Sequence, residues 1–563
     1  MEYNKILFSR LISSFLWTVV LQAFPLSFYI LLTNFNIKHP VEWLLKPVSV
    51  AFSFSTWLSL IPIHALVFAI GYILAQDHQK LPCICKTRFQ FFCNLFTKIN
   101  FLKLFFYFLI GLIVPWSYLN INKLTLFVNC QQFPDKFCLS DGKIYLISCG
   151  CWTGVYYFLR YDLLIEKRLE YPIIRQIKFL QIRYKFLSIF FSSLTSSLVP
   201  IFYYLAFYLC YGKHIIWLFE VFFSAQVDSS TVTNTSLLSV SQLVHLWTIT
   251  TCVILILRVL NLMIQIHYTE HYSFTLIKQP NVDSIILSAA LSERNMPIIQ
   301  HLACYDLYIM SMSPRSNRWQ IFTLSQPGGH PHTWNAILNE CIKLIEEFIL
   351  KIEDIYKVKT PVKPPPIVPK HIHPRSMNVR YEEILTSPVP LSPINKLRNL
   401  VEEPGMPFIH EERSILDDFW IKIGHVNEMI KKNSIINYIF NSKPDVEIRF
   451  ILSNSQPLIW VVQSLSELSA NALYEDQFGI VLKDLPLIIS TLLRLKFSVD
   501  KIGNLQNKFQ RRDTDLCMKS SLKSAIRRSL YRIAVAYSDY LPDLPLSVEN
   551  LNCMKNFGNF KEN

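Results

Sequence analysis

The sequence predicts an all-α protein: a six-span transmembrane helical domain, then an α-helical domain in water that a proline-rich linker interrupts. Three observations predict it. Six long, nearly charge-free apolar stretches lie within residues 1–267 and none lies beyond, and about 20 apolar residues are what a bilayer asks of a spanning helix. Basic residues crowd into alternate loops between these stretches. Past residue 267, apolar residues recur with helical period on either side of a stretch holding 11 of the chain's 30 prolines.

The expected spans are 11–32, 49–74, 101–119, 144–159, 187–210 and 244–264. The first follows Lys5 and Arg10 as a signal peptide would, but it is too long for a cleaved apolar segment and no small-residue cleavage site follows it. The fourth is short and carries Gly150 and Gly154, a spacing that lets a second helix approach closely. Lys/Arg number two, four and seven in the N-terminus, 75–100 and 160–186, against two, three and one in 33–48, 120–143 and 211–243. That bias places both termini and the C-terminal half in the cytosol. Asn234-Thr235-Ser236, an N-glycosylation sequon, and the cysteines Cys130 and Cys138, a candidate disulfide, then fall in the lumen.

The net charge of +14 invites a nucleic-acid reading, so its location matters. Residues 1–267 hold 21 Lys/Arg against 10 Asp/Glu, whereas the rest holds 34 against 31. The excess belongs to the interspan loops, and no direct nucleic-acid partner is expected. No predicted span contains Asp or Glu, which weakens a transporter or channel reading. Lys103, near a span end, is expected to snorkel. Arg258 is the one deep cation, expected to meet a neighbouring helix or a carbonyl. The motifs of metalloproteases, α/β-hydrolases, P-loop enzymes and dinucleotide-binding folds are absent from the chain. His301 and Asp306 have the spacing of an acyltransferase base and its carboxylate. Five residues along a helix nevertheless turn through about 140°, so the two side chains should diverge. No catalytic residue, cofactor or metal is expected, and the His330/His332 pair lacks further ligands at metal-site spacing.

The part of the chain in water divides into a helical segment at 268–358, a proline-rich linker expected to be disordered at 359–410, a C-terminal helical module at 411–540 and a tail at 541–563. Within the first, Ser325-Gln326-Pro327-Gly328-Gly329-His330-Pro331-His332 has the turn-forming residues of a defined loop. An amphipathic helix follows from about Thr333, with Trp334, Ile337, Leu338, Ile342, Ile345, Phe348, Ile349 and Ile352 on one face. A later helix, about 515–538, carries Lys519, Lys523, Arg527, Arg528 and Arg532 on one broad side, either a solvated face or a contact for anionic lipid or an acidic partner.

Three stretches carry a family likeness: Ile321–Trp334 around that loop, Tyr171-Pro-Ile-Ile-Arg-Gln-Ile-Lys-Phe-Leu180, and Tyr474-Glu-Asp-Gln-Phe-Gly479. Together, and in order, they resemble the signature of the nuclear-division-cycle transmembrane nucleoporins. The resemblance implies six spans with both termini cytosolic, location in the pore membrane of the nuclear envelope, and the endoplasmic reticulum before assembly. It implies a non-enzymatic scaffold that anchors the nuclear pore complex, joins its membrane ring to the inner ring and supports pore assembly. Implied partners are the bilayer, other membrane-ring and inner-ring nucleoporins and an aladin-like WD-repeat protein. Only two Phe-Gly pairs occur, Phe478-Gly479 and Phe557-Gly558, so a permeability-barrier role is not expected. The alternative reading is a polytopic transporter or channel of the endoplasmic reticulum.

Overall fold

The computed structural model describes residues 2–36, 38–80, 85, 87–124, 126–129, 137–163, 169–171, 176–225, 227, 239–277, 285–324, 329–359, 438, 440, 445–502 and 514–559. Met1–Ile355 and Ser442–Asn563 form one compact unit, and Tyr356–Asn441 a second. The expected linker at 359–410 lies outside the described residues except for its first residue, and so does the start of the C-terminal module up to Pro444 apart from two positions.

The fold is all-α. Helices α1 (Glu2–Leu21) and α2 (Ala23–Thr33) meet at Gln22 and make one apolar rod. The expected second span is broken into α3 (Pro40–Ala51), α4 (Phe54–Ser59) and α5 (Ile61–Gln79). The first break is at Ser53, whose backbone is extended; proline occupies the opening turn of α5. A short helix, α6 (Arg88–Leu95), precedes α7 (Lys98–Ile121). Strands β1 (Phe127–Asn129) and β2 (Phe137–Leu139) pair antiparallel, with Val128 opposite Cys138. Then come α8 (Asp141–Tyr157), prolonged by a π-helical turn at Phe158–Leu163, and α9 (Lys178–Ser196) and α10 (Leu198–Phe223), nearly continuous through Ser197. Helix α11 (Val240–Tyr268) ends the apolar part.

Four of these rods are long and apolar enough to cross a membrane: Tyr3–Thr33, Lys98–Ile121, Lys178–Phe223 and Val240–Tyr268. Helix α11 is the hub. Its apolar window is 83% buried against 22–33% in the other three, because α1, α2, α5, α7, α8, α9 and α10 all pack on it. Side chains that face other helices rather than lipid can be small and polar, and Thr248, Thr250 and Thr251 are buried there.

The Gly150/Gly154 spacing does admit a neighbour, and the neighbour is α7. A Cβ on Gly154 would collide with the Tyr107 carbonyl, and one on Gly150 with the carbonyl of Gly111. Gly111 reciprocates, so the two backbones touch.

The two membrane-level cations behave differently from one another. Arg258 donates from Nη1 to Ser192 Oγ (2.9 Å) and Ser193 Oγ (3.3 Å), and from Nη2 to Tyr161 Oη (2.9 Å) and Ser196 Oγ (3.0 Å). Neighbouring hydroxyls meet it, as a lone deep guanidinium requires. Lys103 does not snorkel: it pairs with Asp77 and, at 3.5 Å, with Asp162. Both carboxylates lie just past predicted spans, where helices α5 and the π turn carry them to Lys103.

After α11 the chain continues as α12 (Leu287–Ser292), α13 (Pro297–Met312) and α14 (Arg315–Arg318), a 3-10 turn at Trp319–Phe322, and α15 (His332–Lys359). The second half supplies α16 (Asp445–Ser453), α17 (Gln456–Glu475), α18 (Ile480–Asp500), α19 (Thr514–Ala536), a 3-10 turn at Leu541–Asp543 and α20 (Val548–Gly558). All eight residues of the expected α15 stripe are buried. Helix α17 packs against α13, α18 and α19, and its polar stitches are internal: Ser466 Oγ donates to Ser529 Oγ (3.1 Å) and Tyr537 Oη to the Ser469 carbonyl (2.8 Å). The stretch expected as a tail contains α20, whose Met554 and Phe557 are buried.

Candidate functional site

Described residues of the signature stretches, far apart in sequence, lie in or against one helix, α17. Ser325, Gln326, Pro327 and Gly328 lie outside the described residues; Gly329, His330, Pro331, His332 and Trp334 are described. The His332 backbone donates to the His330 carbonyl (2.9 Å), a tight turn that starts α15. His332 is thereby exposed, while Trp334, half a turn later, is fully buried. The indole packs near the Phe322 ring (centroids 6.0 Å), and its Nε1–H donates to Asp484 Oδ2 at 2.9 Å. A buried indole needs an acceptor for its one donor, and α18 supplies it. A cavity of about 220 Å³ opens alongside, lined by Leu276, Ile277, Leu287, His332, Thr333 and Ile337 among others.

Just upstream, Arg318 ends α14. Its Nε donates to Glu475 Oε2 (2.9 Å) and its Nη2 to Glu475 Oε1 (2.6 Å), a two-pronged fork. Both side chains are about one-tenth exposed or less. Nη1 donates to the carbonyls of Ser311 (2.9 Å) and Ser313 (2.8 Å), closing the C-terminal end of α13. Arginine's planar fork matches a carboxylate and leaves a spare edge for carbonyls. Glu475 is the second residue of the Tyr474–Gly479 motif; the third, Asp476, accepts from the Phe478 and Val481 backbones (3.1 and 2.8 Å). Gly479 has φ +63°, a left-handed conformation that glycine adopts without the cost of a Cβ, and it launches α18.

Tyr171 of the remaining motif lies in the same layer. Its ring stacks on His301 (5.7 Å, 15°) and meets Trp460 edge-on (5.3 Å, 90°). Burial raises the phenol well above its ordinary range and holds the His301 imidazole below its own. Here His301 and Asp306 part, as the helical rotation requires. His301 Nδ1 lies 2.5 Å from the Pro297 carbonyl, whereas Asp306 accepts from His271 Nε2 (2.8 Å) and the Phe274 backbone (2.9 Å). His301 and Asp306 therefore do not form the base–carboxylate pair that their spacing suggested.

The other sites expected from sequence are scattered. Cys138 is disulfide-bonded; Cys130 and the sequon at Asn234 lie outside the described residues. The basic face of α19 is largely spent inside the protein. Lys519 Nζ donates to the Ile502 carbonyl (2.7 Å), Lys523 pairs with Asp500 (2.6 Å) and Arg532 with Glu467. Arg527 and Arg528 are exposed. Among the described residues no three His, Cys, Asp or Glu side chains form a metal-binding group. The bracing pairs Arg318–Glu475, Trp334–Asp484 and His271–Asp306 escaped sequence reasoning. The first two join residues 150 or more positions apart, and no local pattern marks either partner.

The family model for Nucleoporin protein Ndc1-Nup matches residues 5–555. Among relatives, Nucleoporin Ndc1 of Drosophila melanogaster is 25% identical, covering 96% of this chain and 95% of its own. Nucleoporin NDC1 of Xenopus laevis is 24% identical with 98% of each chain covered. The Homo sapiens protein of that name is 23% identical, over 99% of this chain and 97% of its own.

Proposed function

Because this chain belongs to the Ndc1 family of nucleoporins, a structural rather than enzymatic family, we propose that it is a polytopic anchor holding the nuclear pore complex in the pore membrane. The supporting observation is that each signature stretch places a residue in or against α17: Tyr171 meets Trp460, the Trp319–Phe322 turn packs on the helix, and Glu475 ends it. Residues that bind no substrate but lock α13, α15, α17 and α18 together serve a platform whose shape is what partners read. Membrane-ring and inner-ring nucleoporins and an aladin-like WD-repeat protein are the partners this reading names, with attachment of the two rings and support of pore assembly as the outcome.

The proposal includes six crossings, α3–α5 together forming the second and α8 the fourth, with both termini facing the cytosol or the pore. Charge counting supports that sidedness. It also includes a lumenal Cys130–Cys138 bond, for which the bonded state of Cys138 is the support, and a glycan at Asn234. The chain would reside in the endoplasmic reticulum before assembly.

The test is to image a C-terminally tagged full-length protein in cells opened only at the plasma membrane. A punctate nuclear rim with the tag open to antibody is the expected result. A diffuse reticular signal would remove the anchor role, and a hidden tag would remove the topology.

A further inference from the structure

Helix α6 buries none of its residues, yet it is built with care. Thr87 accepts from the Gln90 backbone (3.1 Å) while Gln90 reaches back to the Thr87 N–H (3.4 Å), a capping box that fixes the start. Its end is fixed too: the Asn94 carbonyl accepts from Asn100 Nδ2 (2.6 Å) and Thr97 Oγ1 (3.1 Å), setting the corner into α7. A helix that made no use of its surface would not need both ends pinned.

Phe89, Phe92, Cys93 and Phe96 follow the i, i+3, i+4, i+7 pattern, which gathers them on one stripe about 100° wide. Phe89, Phe92 and Phe96 are 42%, 55% and 57% exposed, and Cys93 is an exposed free thiol. The stripe runs on without interruption into α7: the rings of Phe96 and Phe101 lie 6.1 Å apart. Phe101, Leu102, Phe105 and Phe108 continue as exposed apolar residues of a membrane-length helix, a surface that faces acyl chains. From His78 to Lys103 the chain has no carboxylate, while Lys80, Lys86, Arg88 and Lys98 flank or begin the helices.

We propose that α6 is an in-plane interfacial helix, with Phe89, Phe92 and Phe96 sunk into the outer acyl region of the leaflet from which α7 enters and the flanking cations Lys80, Arg88 and Lys98 among anionic headgroups. Lipid is the occupant because the stripe is continuous with the lipid-facing side of α7 and its rim is uniformly positive, the two requirements for interfacial binding. An in-plane wedge on one leaflet also spreads that leaflet's headgroups, which a curved membrane accommodates more readily than a flat one.

Cysteine labelling tests this on the full-length protein in nanodiscs of phosphatidylcholine and phosphatidylserine, which leave both faces open. A water-soluble maleimide is applied and each cysteine is read by peptide mass spectrometry. Cys517, exposed on α19, reports water; Cys210, exposed on α10 within a membrane-length rod, reports lipid; the buried Cys304 and Cys341 report folding. Cys93 should label about tenfold or more slower than Cys517 and close to Cys210. The F89D/F92D/F96D variant should bring Cys93 up to the Cys517 rate while Cys304 and Cys341 stay protected. Equal rates for Cys93 and Cys517 in the unaltered protein would overturn the proposal whatever the variant does, as would a variant that leaves Cys93 slow. Fast labelling in nanodiscs but protection in native nuclear membranes would make the occupant a protein, which also overturns it. Removing phosphatidylserine should speed Cys93 labelling; no change would refute the part assigned to the cations.

Discussion

Replacing Arg318 by alanine removes both prongs of its fork to Glu475 and the two bonds that close α13. Because the glutamate side chain is only 8% exposed, its carboxylate is left with little water to turn to. Breaking one side of a buried pair typically costs about 3–5 kcal/mol. At about 2.1 cal/mol/K of unfolding entropy per residue, a compact unit of about 480 residues shifts its melting temperature by about 1 °C per kcal/mol, so a drop of about 3–5 °C is expected. The buried thiols Cys304 and Cys341 provide the assay, since a thiol-reactive fluorophore lights up when the layer opens. E475A should cost a similar amount. The double variant R318A/E475A should cost about 2 kcal/mol less than the sum of the two, because it leaves no orphaned charge. Additive losses, or an R318A change under about 1 kcal/mol, would show that Arg318 and the Tyr474–Gly479 motif are neighbours without being coupled, and the bracing role of that motif would fall.

Trp334→Phe keeps most of the ring but leaves Asp484 without its indole donor; a loss of about 1–3 kcal/mol is expected in the same thiol assay. Gly154→Leu drives a side chain into the Tyr107 carbonyl and should separate α7 from α8 at a cost of about 1–3 kcal/mol or more, seen as new labelling of the buried Cys149 and Cys151. Acid should weaken the Tyr171–His301 seam. Burial holds the folded imidazole below the 6.5 of the free group, so both states are neutral well above 6.5. As pH falls through 6.5 the unfolded chain takes up the proton first, and stability is lost down to the folded value. The melting temperature should therefore drop between pH 7.5 and 5.5, less so in His301→Gln; an equal drop in both would assign the effect to other groups.

Much of the architecture was legible because it follows from one-dimensional chemistry. The α15 stripe could be read because a helix repeats every 3.6 residues, and every residue assigned to its buried face is buried. The Gly150/Gly154 spacing announced a close approach, since only glycine leaves room for a second backbone. The divergence of His301 and Asp306 followed from helical rotation alone. Other features needed a third dimension. Nothing local said that Lys103 would be met by Asp77 and Asp162 instead of reaching for water. The broad basic side of α19 read as either a solvated face or a contact for anionic lipid or an acidic partner, because the carboxylates that Lys523 and Arg532 meet, Asp500 and Glu467, lie on other helices.

Apolar length, loop charge and helical period, all carried within about 20 residues of one another, determined that this chain is helical and membrane-spanning; the scaffold role came from the family likeness of three motifs. The tertiary structure alone decided that α11 sits at the centre, that Arg258 rests among serines of α9, and that Arg318, Trp334 and Tyr171 brace a single layer. Pattern in a sequence reports what a residue needs, burial or water or a counter-charge. Which distant residue meets that need depends on how helices pack, and packing is settled by shape across chain separations that no local period encodes.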